Sequence, residues 1–200
     1  IASTKKPLIM STGMASFEEI EEMVATAREA GCKDMIVLHC LSSYPAPIEQ
    51  TNLLTIPDLS KRLGVQIGLS DHTVTNTASV VATSLGATLI EKHFILDKSI
   101  GGVDAGFSMD KQEFSELVKA IRATEKLLGR VDYSMTEAKK KSRQHSRSLY
   151  VAKDIKKGEM FTEENIRSVR PGFGTHPKYL NSVLGTFSKK DYEFGERLKI

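Results

Sequence analysis

Short apolar runs alternate with helix-like segments through the first two thirds of the chain. The runs read PLIMSTG, MIVLHC, QIGLSDH and TLIEKHF, and they begin at residues 7, 35, 66 and 88. Continuous apolar runs of this length are typical of parallel strands that are buried on both faces. Between them, apolar residues recur at helical spacing. The pattern therefore predicts an α/β fold made of four strand–helix units in series.

Several local signals predict where the helices begin and end. Ser16 with Glu19 three residues later is a capping box, and Gly31 is typical of a helix end. Pro57 predicts an interruption in the helix that follows the second strand. The last helix of this region is predicted to begin near Asp110.

Four such units leave two arrangements open. They form either half of a (β/α)₈ barrel or an open, doubly wound sheet, because a closed barrel needs eight units. No G-x-G-x-x-G or Walker pattern follows the first strand, which disfavours a nucleotide-binding open sheet. The chain opens at Ile1 without a cap or strand of its own. We therefore expect it to be a fragment.

The character of the chain changes after the fourth unit. Residues 133–147 are basic and poor in apolar side chains, as expected of a solvated linker, with an anion-binding segment as the alternative. From residue 148 onward, short strand patterns and turns predict a small β-rich module. We therefore predict a partial barrel over residues 1–132, a linker over 133–147 and a β-rich domain over 148–200.

Composition excludes some functional classes. The chain is 40% apolar and 26% charged with a net charge of +3, which by itself indicates no nucleic-acid partner. It contains no apolar run of the roughly 20 residues that span a bilayer and no secretory leader. Cys32 and Cys40 are expected to be reduced packing residues. These features predict a cytoplasmic protein without a membrane partner.

Polar, ligand-capable side chains end each strand pattern. Because side chains two residues apart share a face, Ser70 and His72 face one way, and His93 faces the same way on the next strand. Neighbouring strands lie about 4.8 Å apart, so two imidazoles at their ends can reach one metal ion. The alternative is two unrelated, hydrogen-bonded histidines. Ligand chemistry favours zinc or iron, whereas an octahedron completed by water and substrate oxygens suits manganese.

Other polar side chains each allow a binding role and a structural one. The hydroxyls of Ser42 and Ser70 suit a carboxylate or phosphate, or an ordinary strand-end cap. Asp104 lies in a glycine-rich loop, where it reaches a ligand or stabilises its own turn. Arg170 either binds an anionic group or is merely solvated. Tyr44 either lines a sugar pocket or packs against the protein.

Six phrases in their order and spacing resemble the sialic acid synthase family over nearly the whole chain. They are STGM at 11–14, HCLSSYP at 39–45, GLSDHT at 68–73, EKHF at 91–94, GGVDAGFSM at 101–109 and VRPGFG at 169–174. The fifth phrase resembles the pseudaminic acid synthase branch, because sialic acid synthases usually carry a GPDH-type phrase there. Spore-coat polysaccharide synthases are close relatives.

The resemblance implies a fold and a reaction. The fold is the C-terminal half of a (β/α)₈ TIM barrel followed by a small β-rich SAF (antifreeze-like) domain. The reaction joins phosphoenolpyruvate to a 2,4-diacetamido-trideoxy hexose and yields a nonulosonic acid and phosphate. N-acetylneuraminate, legionaminic acid and spore-coat synthases are the alternatives. Since half of the barrel lies outside the sequence, we expect the chain alone to be inactive.

The resemblance also assigns roles to individual residues. It implies that His72 and His93 hold a divalent metal, Mn²⁺ in the family, and that Ser70 and Ser42 bind phosphoenolpyruvate. Some sialic acid synthases carry Asn at the position of Ser42, so this chain departs from that pattern. The implied sugar-contacting positions are Tyr44, Asp104, Arg170 and Ser11.

Two further implications concern Asp104 and Arg170. Asp104 is assigned a catalytic role in orienting a sugar hydroxyl, together with the two histidines. Arg170 acts in trans, because in the family the SAF domain reaches the barrel of the partner protomer in a homodimer. Two other classes compete with the enzyme: a non-catalytic carbohydrate- or ice-binding module over residues 148–200, and a nucleic-acid binder over residues 139–147.

Overall fold

The computed structural model describes all 200 residues and divides them into two compact units, Ile1–Arg130 and Val131–Ile200. The first unit contains four strands and four helices. The strands are β1 (Leu8–Ser11), β2 (Met35–Cys40), β3 (Gln66–Asp71) and β4 (Ile90–Lys92). The helices are α1 (Phe17–Glu29), α2 (Thr55–Leu63), α3 (Thr77–Ser84) and α4 (Lys111–Leu128).

The four strands form one parallel sheet in the order β1-β2-β3-β4. The hydrophobic core lies between one face of this sheet and α1, α2 and α3. Its strand members alternate along β2 and β3, and the core includes Met35, Val37, Ile67 and Leu69 together with Val24, Ile56, Leu59 and Ala82. A doubly wound sheet buries helices on both faces, so this one-sided core confirms the half-barrel.

Gly68 controls the packing on the opposite face of the sheet. A Cβ atom at this position would overlap the carbonyl oxygen of Leu89 and would lie 2.5 Å from Leu38 Cδ2. Leu38 is completely buried. The missing side chain at Gly68 therefore lets Leu38 lie across β3 and brings the chain entering β4 close to it.

The helix signals were largely correct. Ser16 and Glu19 form the predicted capping box of α1, with both reciprocal hydrogen bonds present. The predicted interruption at Pro57 is wrong, because α2 begins at Thr55 and Pro57 lies in its first turn. A proline is tolerated there, since the first backbone N–H groups of a helix have no partner within the helix.

Glu113 anchors the start of α4 in a second capping box. Its carboxylate accepts hydrogen bonds from Lys98 Nζ at 2.6 Å and from the Asp110 N–H at 2.9 Å, while Asp110 caps the helix in return. The Lys98 ammonium, followed by the Asp110 N–H, lowers the pKa of Glu113 below its ordinary value of 4.5. The resulting stabilisation is present above the unfolded-state pKa and is lost as the pH falls through the folded-state pKa.

We therefore expect Glu113→Gln to destabilise the protein by about 0.5 kcal/mol at pH 7, a small value because the pair is partly exposed and screened by solvent. The difference from wild type should shrink as the pH falls through the lowered pKa of Glu113, because the carboxylate becomes protonated. Thermal melts followed by circular dichroism at pH 7 and at an acidic pH below that pKa measure this. Glu116→Gln on the same helix is the control, and an equal difference at both pH values would contradict the prediction.

The second unit contains α5 (Glu137–Arg143), β5 (Ser148–Val151), β6 (Ile166–Val169) and α6 (Leu180–Val183). β5 and β6 pair in antiparallel fashion, and the rest is mostly turns, as predicted. Helix α5 lies within the predicted linker and is exposed throughout. The unit has its own hydrophobic core, made of Leu149, Val151, Ile155, Phe161, Ile166, Val183, Tyr192 and Leu198.

Two further predictions concern the whole chain. None of its helices combines the length and the apolar composition that crossing a bilayer requires. Cys32 and Cys40 are both buried and form no disulfide, as expected of packing residues.

Candidate active site

The structure brings the imidazoles of His72 and His93 together at the carboxyl ends of β3 and β4. Their ring centres lie 5.2 Å apart and the ring planes are inclined by 71°. Each histidine directly follows the last paired residue of its strand, Asp71 or Lys92. Alternation along the strands turns both rings to the face opposite the helix core. This is the juxtaposition that the strand pattern predicted.

His72 is held in one orientation by the loop that follows β2. Its Nδ1 lies 2.9 Å from the carbonyl oxygen of Leu41. Because a carbonyl only accepts, Nδ1 carries the proton, and the lone pair is on Nε2, where a ligand can use it. The His72 carbonyl in turn accepts a hydrogen bond from the Ala46 N–H at 2.9 Å. Two hydrogen bonds therefore tie His72 to this loop.

His93 faces the glycine-rich loop between β4 and α4. Its Nδ1 lies 3.8 Å from Asp104 Oδ2, and both side chains are partly exposed. This distance exceeds a hydrogen bond, but the carboxylate favours a proton on the Nδ1 side of the ring. Asp104 also braces its own loop, because its carbonyl accepts from the Ser108 hydroxyl at 2.7 Å.

Aromatic rings surround the two imidazoles. The Tyr44 ring lies 4.3 Å from the ring of His72 and 5.9 Å from that of His93. Phe107 is buried, with its ring 4.9 Å from His93 and 5.6 Å from Tyr44. Sequence reasoning missed Phe107, because an aromatic residue inside a glycine-rich loop carries no periodic signal.

Sequence reasoning gave no role to a second carboxylate on the inner face, that of Glu91. The buried Ser70 hydroxyl donates to Glu91 Oε1 at 2.7 Å, and Ser70 Oγ lies 3.5 Å from His72 Nε2. Glu91 lies two residues before His93, and strand alternation places both on one face. Ser70 thus lies between Glu91 and His72, and its one hydroxyl proton goes to Glu91.

Two other predicted residues, Ser42 and Ser11, lie at or just beyond the ends of β2 and β1. Ser42 is exposed, with its Oγ 3.9 Å from Cys40 Sγ and 3.8 Å from where a Cβ on Gly13 would stand. It therefore lies beside the turn after β1. Ser11 is exposed at the end of β1, the edge strand farthest from β4, and the structure does not bring it to the imidazoles.

Arg170 lies in the second unit. It directly follows β6, is exposed, and precedes Pro171 through a cis peptide bond. Its action across a dimer stays a prediction.

A buried ion pair lies behind the histidines and was not predicted. Lys92 Nζ is 3.1 Å from Asp71 Oδ2, on the helix side of the sheet. Burial lowers the pKa of Lys92, and the neighbouring Asp71 carboxylate opposes this effect. Neither residue reaches the face that carries the imidazoles.

The donor set fits a divalent cation held by two imidazoles. A metal–nitrogen bond is about 2.1 Å long, so two rings that share an ion have centres roughly 5 Å apart, close to the spacing of His72 and His93. The carbonyl of Leu41 occupies Nδ1 of His72 and not its Nε2, which lies 3.5 Å from Ser70 Oγ. No group of three or more His, Cys, Asp or Glu side chains is arranged to hold an ion. An ion here would need oxygen ligands beyond the two imidazoles.

Comparison with known proteins places this geometry in a family. The model of the NeuB family matches residues 1–133, and that of the SAF domain matches residues 146–198. The chain belongs to the NeuB family. This confirms the resemblance and the fold class predicted from the motifs, a barrel half of the TIM type followed by an SAF domain.

Several relatives of this NeuB-family chain carry names. The pseudaminic acid synthase of Campylobacter jejuni is 48% identical over 199 residues, which are 100% of this chain and 58% of the relative. The pseudaminic acid synthase of Helicobacter pylori is 42% identical over 94% of this chain and 56% of the relative. The chain therefore spans less than two thirds of the length of these relatives.

A solved structure has the same architecture. The spore coat polysaccharide biosynthesis protein SpsE of Bacillus subtilis is 34% identical, with a TM-score of 0.60 over 98% of this chain and 61% of that protein. The shared fold extends across both units of the chain.

Proposed function

We propose that the protein containing this chain is a pseudaminic acid synthase. Such an enzyme condenses phosphoenolpyruvate with a 2,4-diacetamido-trideoxy hexose and produces a nonulosonic acid and phosphate. The observation that carries the proposal is the pair of imidazoles 5.2 Å apart at the strand ends, in a chain 48% identical to a pseudaminic acid synthase. The proposal extends to the dependence on a divalent metal, for which Mn²⁺ is our choice.

His72 and His93 would hold the cation through their Nε2 atoms. When bound, the cation supplies Lewis acidity for the aldehyde of the open-chain sugar. The protein contributes the orientation of the rings. The Leu41 carbonyl fixes the tautomer of His72, and Asp104 favours the matching tautomer of His93.

The serines and Tyr44 bind and orient the substrates. Ser70 and Ser42 present hydroxyls that suit the carboxylate or phosphate of phosphoenolpyruvate, which serves proximity rather than proton transfer. Ser70 is buried, and its hydroxyl donates to Glu91, so it would turn from Glu91 to the substrate when phosphoenolpyruvate binds. Tyr44 is 55% exposed beside both imidazoles, where its ring can line the sugar.

The proposed condensation forms one carbon–carbon bond and breaks one carbon–oxygen bond. The methylene carbon of phosphoenolpyruvate bonds to the aldehyde carbon of the sugar, whose oxygen gains a proton. Water then adds to the former enol carbon, and the bond from that carbon to the phosphate oxygen breaks. Asp104 is exposed next to His93, where it can orient a sugar hydroxyl. Arg170 and Ser11 complete the proposed sugar contacts, Arg170 from the partner protomer of a homodimer.

We also propose that the reaction takes place in the cytoplasm. The two buried cysteines are free, as is usual in a reducing compartment. The substrates are the only small-molecule partners we propose, with no nucleic acid and no membrane.

The test uses the intact protein that contains this chain. With phosphoenolpyruvate, Mn²⁺ and the 2,4-diacetamido-trideoxy hexose, we expect phosphate release together with a nonulosonic acid detected by mass spectrometry. We expect no product from the 200-residue chain alone, because half of the barrel is missing from it. Faster turnover of N-acetylmannosamine or of the legionaminic acid precursor would replace the substrate assignment, and no product from any sugar would refute the synthase.

A further inference from the structure

Asp71 and Lys92 form an ion pair directly behind the two imidazoles. Each side chain is 1% exposed, and Lys92 Nζ lies 3.1 Å from Asp71 Oδ2. We propose that this pair is the positioning device that sets the spacing of His72 and His93, and with it their joint affinity for a divalent cation. The inference rests on the proposed function, because it concerns the metal-binding half of that site.

The backbone alone does not fix the spacing of the two rings. The hydrogen-bonded ladder between β3 and β4 ends where Asp71 stands opposite Lys92. The next residue on each strand is a histidine, and there the two chains part. The His72 carbonyl accepts from the loop after β2, whereas the His93 carbonyl accepts from the segment before α4. Beyond the ladder, the side chain of Lys92 connects the ends of β3 and β4.

Lys92 supplies that link on both sides of His72. Its ammonium contacts the carboxylate of Asp71, which precedes His72, and donates to the carbonyl of Thr73, which follows it. A further bond reaches the carbonyl of Thr75 at 3.3 Å. All three ammonium protons therefore have partners. Lys92, which precedes His93, thus contacts the residues on both sides of His72 and holds that segment in one position.

Asp71 extends the same link into the helix layer. Its Oδ1 accepts from the Thr73 N–H at 2.8 Å, and its Oδ2 accepts from the Ser79 hydroxyl at 2.6 Å. Ser79 is fully buried in the first turn of α3. Every buried side-chain polar atom here is satisfied, which makes the network rigid. Strand alternation directs it away from the imidazole face, so the pair positions the ligands and does not touch substrate.

The experiment measures ion binding rather than turnover. In the intact protein, Mn²⁺ affinity is determined by electron paramagnetic resonance, and the Co²⁺ absorption bands report ligand geometry. We expect Lys92→Met to weaken Mn²⁺ binding by about 10- to 100-fold, the usual effect of removing an outer-sphere partner. Because Lys92→Met leaves a buried carboxylate unpaired, the double variant Asp71→Asn with Lys92→Met is the decisive one. Its Asn oxygen can accept from the Thr73 N–H, and its amide NH₂ can donate to the Ser79 hydroxyl, so no net charge is buried. We expect the same loss of affinity.

The control is Ile56→Ala, which removes a buried side chain of α2 and lowers stability without touching the network. It should bind Mn²⁺ as wild type does, with unchanged Co²⁺ bands. A folded double variant with wild-type affinity and bands would overturn the proposal, as would an equal loss in Ile56→Ala. If the wild-type protein bound no Mn²⁺, the metal site of the proposed function would be refuted. This outcome is distinct from a failure of the positioning role, because it appears in the wild-type measurement alone.

Discussion

Gly68→Ala is expected to destabilise the protein by about 3 kcal/mol, a large cost for one methyl group. The new Cβ would overlap the Leu89 carbonyl and press on Leu38, and neither can withdraw easily. Leu89 belongs to the backbone entering β4, and Leu38 is completely buried. Urea unfolding of the intact protein, followed by circular dichroism, measures the change.

Gly106→Ala provides the comparison, because an added Cβ there would meet no atom within 4 Å. Its stability should stay within about 0.5 kcal/mol of wild type. Similar costs for the two substitutions would show that the contact at Gly68 relaxes, and would contradict the close approach of β2, β3 and β4.

Under the proposed function, His93→Gln should reduce kcat/KM of the intact protein by at least about 10³-fold, since the variant loses a proposed metal ligand that would contribute several kcal/mol to the transition state. Stability should change little, because the nearest charged partner of this ring is Asp104 at 3.8 Å. His72→Gln should match the loss of activity and also lower the melting temperature, because His72 is buried and bonded to Leu41. Their combination should lose little more than either alone, as expected of residues that act as a unit.

His145→Gln is the matched control for this prediction. His145 is exposed in the second unit, so its replacement should leave steady-state phosphate release unchanged. Activity of His93→Gln within tenfold of wild type would show that the imidazole pair does not hold a catalytic ion.

Much of the fold was predictable because strand and helix periodicity are local signals. The four strands end at Ser11, Cys40, Asp71 and Lys92, within a few residues of the polar positions that close each apolar run. The Pro57 error shows the limit of local reasoning. A proline both interrupts and begins helices, and only the position of the preceding turn decides between them.

The site was less predictable than the fold. Alternation brought His72 and His93 to one face, and the structure places their rings together. Strand alternation cannot predict contacts that depend on the conformation of a loop, such as the contact of Phe107 with His93. The Asp71–Lys92 pair was hidden for another reason: charged residues within strands are usually exposed, and sequence gives no sign that these two satisfy each other in the interior.

The double attachment of His72 to the loop after β2 would limit how sugar preference can diverge among enzymes with the proposed function. That loop cannot change its path without disturbing an imidazole, since Leu41 and Ala46 both bond to His72. Under the proposed function, a new sugar preference should therefore arise by exchanging a side chain such as Tyr44, rather than by inserting or deleting residues between Leu41 and Ala46.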